Sequence, residues 1–139
     1  MIDNMMPMTQ IPIGAQGEMN LLVTGDVAVD FLDNEEARVL GTPFLIGFME
    51  LAARNAVKDF IGEAYDTVGT HVDVRHLAAT PVGMGASFHA EVTAVNERRV
   101  SYRIWARDEK DLIAEGTHER YIISVERFAG KVQAKARRE

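Results

Sequence analysis

The sequence predicts an α+β domain in which an antiparallel sheet curls round one long helix. Two observations predict it. Gly41 to Gly62 reads as a single, largely apolar helix. The residues after it alternate apolar and polar in strand-length runs joined by short polar turns. Strands grouped beside a single helix make an α+β layer rather than an alternating α/β fold. The 139 residues suffice for one domain with a real core and are too few for two ordinary ones.

Residues 1–16 hold four methionines and two prolines without a period, and are expected to be a loose lead-in to a single domain spanning 1–139. Glu18 to Thr24 has strand composition and ends at Gly25-Asp26. Residues 27–40 form a connector with room for a short helix. A connector of that length is either a plain surface loop or a flap over a site. The helix then runs from 43 to 61. Thr42 is placed to cap it with its hydroxyl, Pro43 suits the first helical position, and Gly62 stops it.

Val68 to Thr80 is the next strand, with Val68, Thr70, Val72, Val74 and His76 on one face and His71, Asp73 and Arg75 on the other. Pro81 to Gly85 is a turn. Ala86 to Val95 turns Phe88, Ala90, Val92 and Ala94 to one side. After Asn96 to Arg99, Val100 to Arg107 does the same with Val100, Tyr102, Ile104 and Ala106. Asp111 to Ile123 completes a three-stranded meander. Residues 125–136 favour a short amphipathic helix that Ser124 can cap. One helix cannot cover both faces of five strands, so a dimer or larger assembly is expected.

Composition narrows the function classes. The net charge is -6 and the one basic cluster is Lys135-Ala136-Arg137-Arg138, which argues against a nucleic-acid partner. There are no cysteines, so disulfides, thiolate metal sites and cysteine nucleophiles are excluded. His71 and His76 fall on opposite strand faces, so no metal site is expected. No Gly-rich phosphate loop leads a strand into a helix, and there is no Gly-x-Ser-x-Gly elbow. No apolar run reaches a membrane span, and no basic residue precedes Arg38. A cytoplasmic chain is the expectation.

Three residues stand out chemically. Glu50 is a carboxylate inside the apolar half of the helix, where burial demands a partner or a purpose. A salt bridge to Arg54, four residues on, explains it equally well. His76 is the odd polar residue on an apolar strand face: either a satisfied core histidine or a group that titrates near neutrality beside a reaction. Thr42 sits at a helix N-terminus, where free N–H groups and the dipole suit an oxyanion; capping alone also accounts for it.

Gly41-Thr42-Pro43 with Met49-Glu50, the run Val68-Gly69-Thr70-His71-Val72-Asp73-Val74-Arg75-His76-Leu77-Ala78-Ala79-Thr80-Pro81, and Gly116-Thr117-His118-Glu119-Arg120 together resemble the hotdog-fold thioesterases of the fluoroacetyl-CoA thioesterase type. The resemblance runs from about residue 20 to the end. It implies a hotdog fold and a homodimer with two active sites at its interface. It implies an acyl-CoA substrate and no separate cofactor, because CoA arrives as part of the substrate. It also implies catalytic roles for Thr42, Glu50 and His76, and site-lining positions for Gly69 and Arg120. Fluoroacetyl selectivity in the type member of that family is linked to an aromatic-bearing lid before the helix. Here residues 27–40 offer Phe31 as the one aromatic. The expected function is hydrolysis of a small or medium acyl-CoA. Glu50 or Thr42 would be the nucleophile, or Glu50 would activate water, and His76 would be base and acid. Arg98, Arg99, Arg103 and Lys110 are candidates for the CoA phosphates by sign alone. Two other readings are a hydratase on the same fold, whose usual pattern is not visible, and a module that binds an acyl thioester without turnover.

Overall fold

The computed structural model describes residues 11–31 and 33–138. Its elements in chain order are β1 (Gln16–Leu22), α1 (Thr42–Ile61), β2 (Tyr65–His76), β3 (Gly85–Asn96), β4 (Arg99–Asp108), β5 (Leu112–Ser124) and α2 (Val125–Ala136), with two 3₁₀ turns, Gly25–Val27 and Glu35–Ala37, in the connector. All strand pairs are antiparallel, in the order β1-β3-β4-β5-β2. This is the α+β arrangement the sequence predicts, with β3-β4-β5 as the meander.

The core lies between α1 and the inward face of the sheet. Leu45, Met49, Ala52, Ala53, Ala56, Val57 and Ile61 bury one side of the helix, and Phe88, Val92, Val100, Tyr102, Ile104 and Ile122 meet it from the strands. Small residues bring the two layers close. A methyl group added at Gly17 in β1 would collide with the backbone of Ala52 and Ala56. The helix packs mainly on β1 and β3 and much less on β2. The inward faces of β2 and β5 are therefore only partly roofed. The helix is not apolar-buried all round: Phe44 and Leu51 are exposed on the side away from the core.

Four expectations change. Residues 1–10 lie outside the described residues, but 11–15 are not a loose lead-in. Ile11 is buried in the core and the Gly14 N–H donates to the Val92 carbonyl at 2.8 Å. Thr42 does not cap the helix. Gly41 is the N-cap, and its carbonyl accepts from the Leu45 N–H at 3.0 Å. In β2 the ladder slips between Gly69 and His71, leaving Thr70 as an extra residue whose hydroxyl donates to the Glu119 carbonyl. Such a bulge reverses the facing of everything before it. Thr67 and Gly69 turn inward with Val72, Val74 and His76, while Val68 and Thr70 do not. A second slip between Val92 and Ala94 leaves Ala94 exposed, with Val95 half-buried in its place.

The connector is pinned at its base. Ala28 bridges Leu40, and the Val29 N–H donates to the Val39 carbonyl at 2.8 Å. Arg38 Nη2 donates to the Gly25 carbonyl at 2.9 Å. Val39 also bridges Pro81, tying the connector to the β2–β3 turn.

Candidate functional site

β2 runs back along α1 after the turn at Gly62. Chain reversal therefore sets the start of the helix against the end of the strand, and the helix middle against the strand's first half. Two clusters of the sequence-predicted residues result.

The first joins Thr42 and His76. Thr42 Oγ1 lies 2.7 Å from His76 Nδ1. With its backbone role taken by Gly41, the threonine hydroxyl is free to serve the imidazole. Burial pushes the His76 imidazole below its ordinary value, with the Ala78 backbone opposing. The ring is therefore neutral at neutral pH, and one of its nitrogens carries a lone pair. Nε2 is buried without a hydrogen-bond partner among the described residues. A cavity of about 400 Å³ opens beside this pair, walled by Val29, Phe31, Leu77 and Ala78. Phe31 is half-exposed and reaches it from the connector, which is thus a wall of the cavity and not a remote surface loop.

The second cluster joins Glu50, Gly69 and Arg120. The helix salt bridge expected for Glu50 does not form. Arg54 instead forks onto Asp66 of β2, with Nε–Oδ1 at 2.8 Å and Nη2–Oδ2 at 2.6 Å. This hydrogen bond holds the Asp66 carboxyl below its usual range. Glu50 Oε1 lies 3.5 Å from Arg120 Nη1, and its side chain keeps 40% of its surface exposed. Arg120 is almost wholly buried. Its Nε donates to Thr67 Oγ1 at 2.7 Å and its Nη2 to the Thr67 carbonyl at 2.7 Å. Burial lowers the guanidinium's affinity for its proton, opposed by Tyr102, Glu50 and Asp66, and it remains a cation. Gly69 is the gap in this wall. A Cβ there would sit 3.3 Å from Glu50 Oε1 and 3.5 Å from Arg120 Nη1.

Eight residues separate Thr42 from Glu50, about 12 Å along the helix axis. A single chain thus brings Thr42 to His76 and Glu50 to Gly69 and Arg120, but does not bring the two clusters together.

Thr67, Tyr102 and His118 belong to the second cluster and were not foreseen from the sequence. Thr67 lies before the strand as the sequence bounds it, whereas β2 begins at Tyr65. His118 was visible in principle, because strict alternation in β5 puts Gly116, His118, Arg120 and Ile122 on one face, two of them polar on an apolar side. Of the basic residues suggested for the CoA phosphates, Arg103 pairs with Glu91 at 3.4 Å and lies over the Trp105 ring at 4.0 Å. Arg98 instead lines a cavity of about 260 Å³ with Arg127, Phe128 and Lys131.

A family model described as fluoroacetyl-CoA-specific thioesterase matches residues 23–126. The fluoroacetyl-CoA thioesterase of Streptantibioticus cattleyicolor is 40% identical over 101 residues, 73% of either chain. A solved fluoroacetyl-CoA thioesterase superposes with a TM-score of 0.81 at 33% identity, over 91% of this chain and 98% of its own. A thioesterase-superfamily protein from Thermus thermophilus superposes with a TM-score of 0.78 at 28% identity, over 90% of this chain and 95% of its own.

Proposed function

Because the chain belongs to the fluoroacetyl-CoA-specific thioesterase family, and so is a hotdog-fold hydrolase of acyl-CoA thioesters, we propose that it cleaves small or medium acyl-CoAs at a site built from both clusters, each supplied by a different copy of the chain. The observation that carries this is the 2.7 Å contact between Thr42 Oγ1 and His76 Nδ1 on the wall of a mostly apolar cavity. It is the geometry of a hydroxyl nucleophile and its base.

In this reading His76 takes the Thr42 proton as Oγ attacks the thioester carbonyl carbon. The tetrahedral oxyanion collapses, the C–S bond breaks, and His76 returns the proton to the CoA sulfur. Water then attacks the acyl-threonine ester, giving up a proton to His76 or Glu50; the C–Oγ bond breaks, that proton returns to Thr42 Oγ, and the carboxylic acid leaves. Arg120 and the backbone at Gly69 stabilise charge on the acyl oxygen. No cofactor is called for; CoA enters with the substrate.

Two features support a homodimer. Among the described residues β2 is a long edge strand with an unpaired side. Phe44 and Leu51 are exposed on the helix flank. In such a dimer, two β2 strands paired antiparallel about a centre between Val72 and Asp73 would set the His76 of one copy beside the Gly69 of the other and so complete the site. No helix among the described residues is long and apolar enough to cross a membrane. We place the enzyme in the cytoplasm, where acyl-CoA substrates would reach it.

The test is release of free CoA thiol from acetyl-, fluoroacetyl-, longer aliphatic and aromatic acyl-CoAs. Thr42→Ala, Glu50→Gln and His76→Ala should each lose about 10²-fold or more in kcat on the preferred substrate. Wild-type rates in Glu50→Gln would remove the second cluster from the site. Wild-type rates in His76→Ala would overturn the nucleophile–base pair.

A further inference from the structure

His118 lies mid-strand in β5, 1% exposed. Tyr102 of β4 stacks on its ring at 5.7 Å between centroids, and Val72 of β2 stands across the ladder on the other side. Its two ring nitrogens face partners of opposite demand. Nδ1 lies 2.8 Å from the His71 carbonyl oxygen, which can only accept, so Nδ1 carries the proton. Nε2 lies 3.3 Å from Arg120 Nη1, which can only donate, so Nε2 bears the lone pair. Both contacts select the same neutral tautomer. Thr67 already holds Nε and Nη2 of the same guanidinium. With His118 accepting from one side, Nη1 is left directed at Glu50.

We propose that His118 is a positioning residue for the thioesterase site: its Nε2 lone pair fixes the direction in which Arg120 offers the other N–H of Nη1 to Glu50 and to the acyl oxygen. This rests on the reading of Glu50, Gly69 and Arg120 as half of that site. His118 also makes the clamp sensitive to acid. A proton on Nε2 would turn the acceptor into a donor facing a donor, and add a cation beside the guanidinium. The groups that face it are Arg120 on its own strand, Tyr102 on β4, His71 on β2 and Glu50 on α1. Burial holds the ring neutral against the pull of Glu50 and of the His71 carbonyl.

Two measurements on the full chain test this. The first is the ¹⁵N spectrum of the histidine side chains near neutral pH, with His118 assigned through His118→Gln. A protonated Nδ1 and a bare Nε2 support the clamp; a proton on Nε2 overturns it. The second compares His118→Phe, which keeps a ring against Tyr102 but accepts no hydrogen bond, with His118→Gln, whose side-chain carbonyl reaches for Nη1 and does not titrate. Phe should lower kcat roughly tenfold or more with little change in KM, the order seen when an orienting partner is lost. Gln should recover most of that loss and make the acidic limb of the kcat profile shallower. Equal kcat in Phe and wild type, or equal loss in Phe and Gln, overturns the inference. Glu50→Gln separates the two ideas: if it is inactive while Phe is fully active, only the role of His118 fails; if Glu50→Gln is fully active, the functional reading fails.

Discussion

One methyl group at Gly69 would test the Glu50 cluster with minimal disturbance. The new Cβ stands 3.3 Å from Glu50 Oε1 and 3.4 Å from His118 Cε1, tight but not impossible. Gly69→Ala should fold, losing about 1 kcal/mol or less, yet lower kcat/KM at least as much as a lost hydrogen bond would. Chemical denaturation beside thiol-release kinetics separates the two effects. At Thr42, serine should retain a substantial part of kcat and alanine almost none, because serine keeps the hydroxyl in line with His76. At this scale the sequence was informative about character and poor about partners. Glu50, His76 and Thr42 each stood out as a polar group in an apolar setting. Glu50's partner was misread because Arg54 is taken by Asp66, an acid that a one-dimensional spacing rule does not see.

Elements and their junctions explain most of what was hidden. Period-two counting through β2 placed Val72, Val74 and His76 correctly and Val68 and Thr70 on the wrong side, because one extra residue at Thr70 inverts the earlier half. A bulge has no composition signature in this strand, so alternation alone could not locate it. β4, which has no slip in its middle, was read correctly at every position. Close approach was equally silent. At Gly17 a side chain would meet the carbonyl of Ala52 and the backbone of Ala56. Gly17→Ala should therefore push β1 off the helix and cost about 2–3 kcal/mol, seen as a lower urea midpoint with an unchanged slope. Activity per folded molecule should change little, since β1 touches neither cluster.

For the whole molecule, the separation of the two clusters is the main issue. If each site takes Thr42 and His76 from one copy and Glu50 from the other, two dead variants should rescue each other. Thr42→Ala and Glu50→Ala, mixed and allowed to exchange subunits, should regain up to about one quarter of wild-type activity through heterodimers with one intact site. If nothing returns on mixing while exchange is confirmed by mass, the two clusters act within one copy. Acid should also destabilise the fold. His76 and His118 are both held below the ordinary histidine value by burial. Between that value and their folded values the unfolded chain binds more protons, so stability is full above the ordinary value and falls as pH drops through the window. The urea midpoint should be lower at about pH 5.5 than at about pH 7.5, and His118→Gln should shrink the drop. The expectation of a partner came from strand count alone; the separation of the two clusters along one chain was not legible, since it depends on where α1 reverses into β2.

The pinned connector has a consequence for how such enzymes diverge. Its neck is closed by the Ala28–Leu40 bridge and fastened to the β2–β3 turn through Val39 and Pro81. The segment inside the neck can therefore change length and lettering without disturbing helix, strands or either cluster. It is an interchangeable insert on a fixed chassis. After gene duplication, the two copies would drift apart there first, and a new diet of thioesters would be written into those few codons while the hydrolytic parts were inherited untouched.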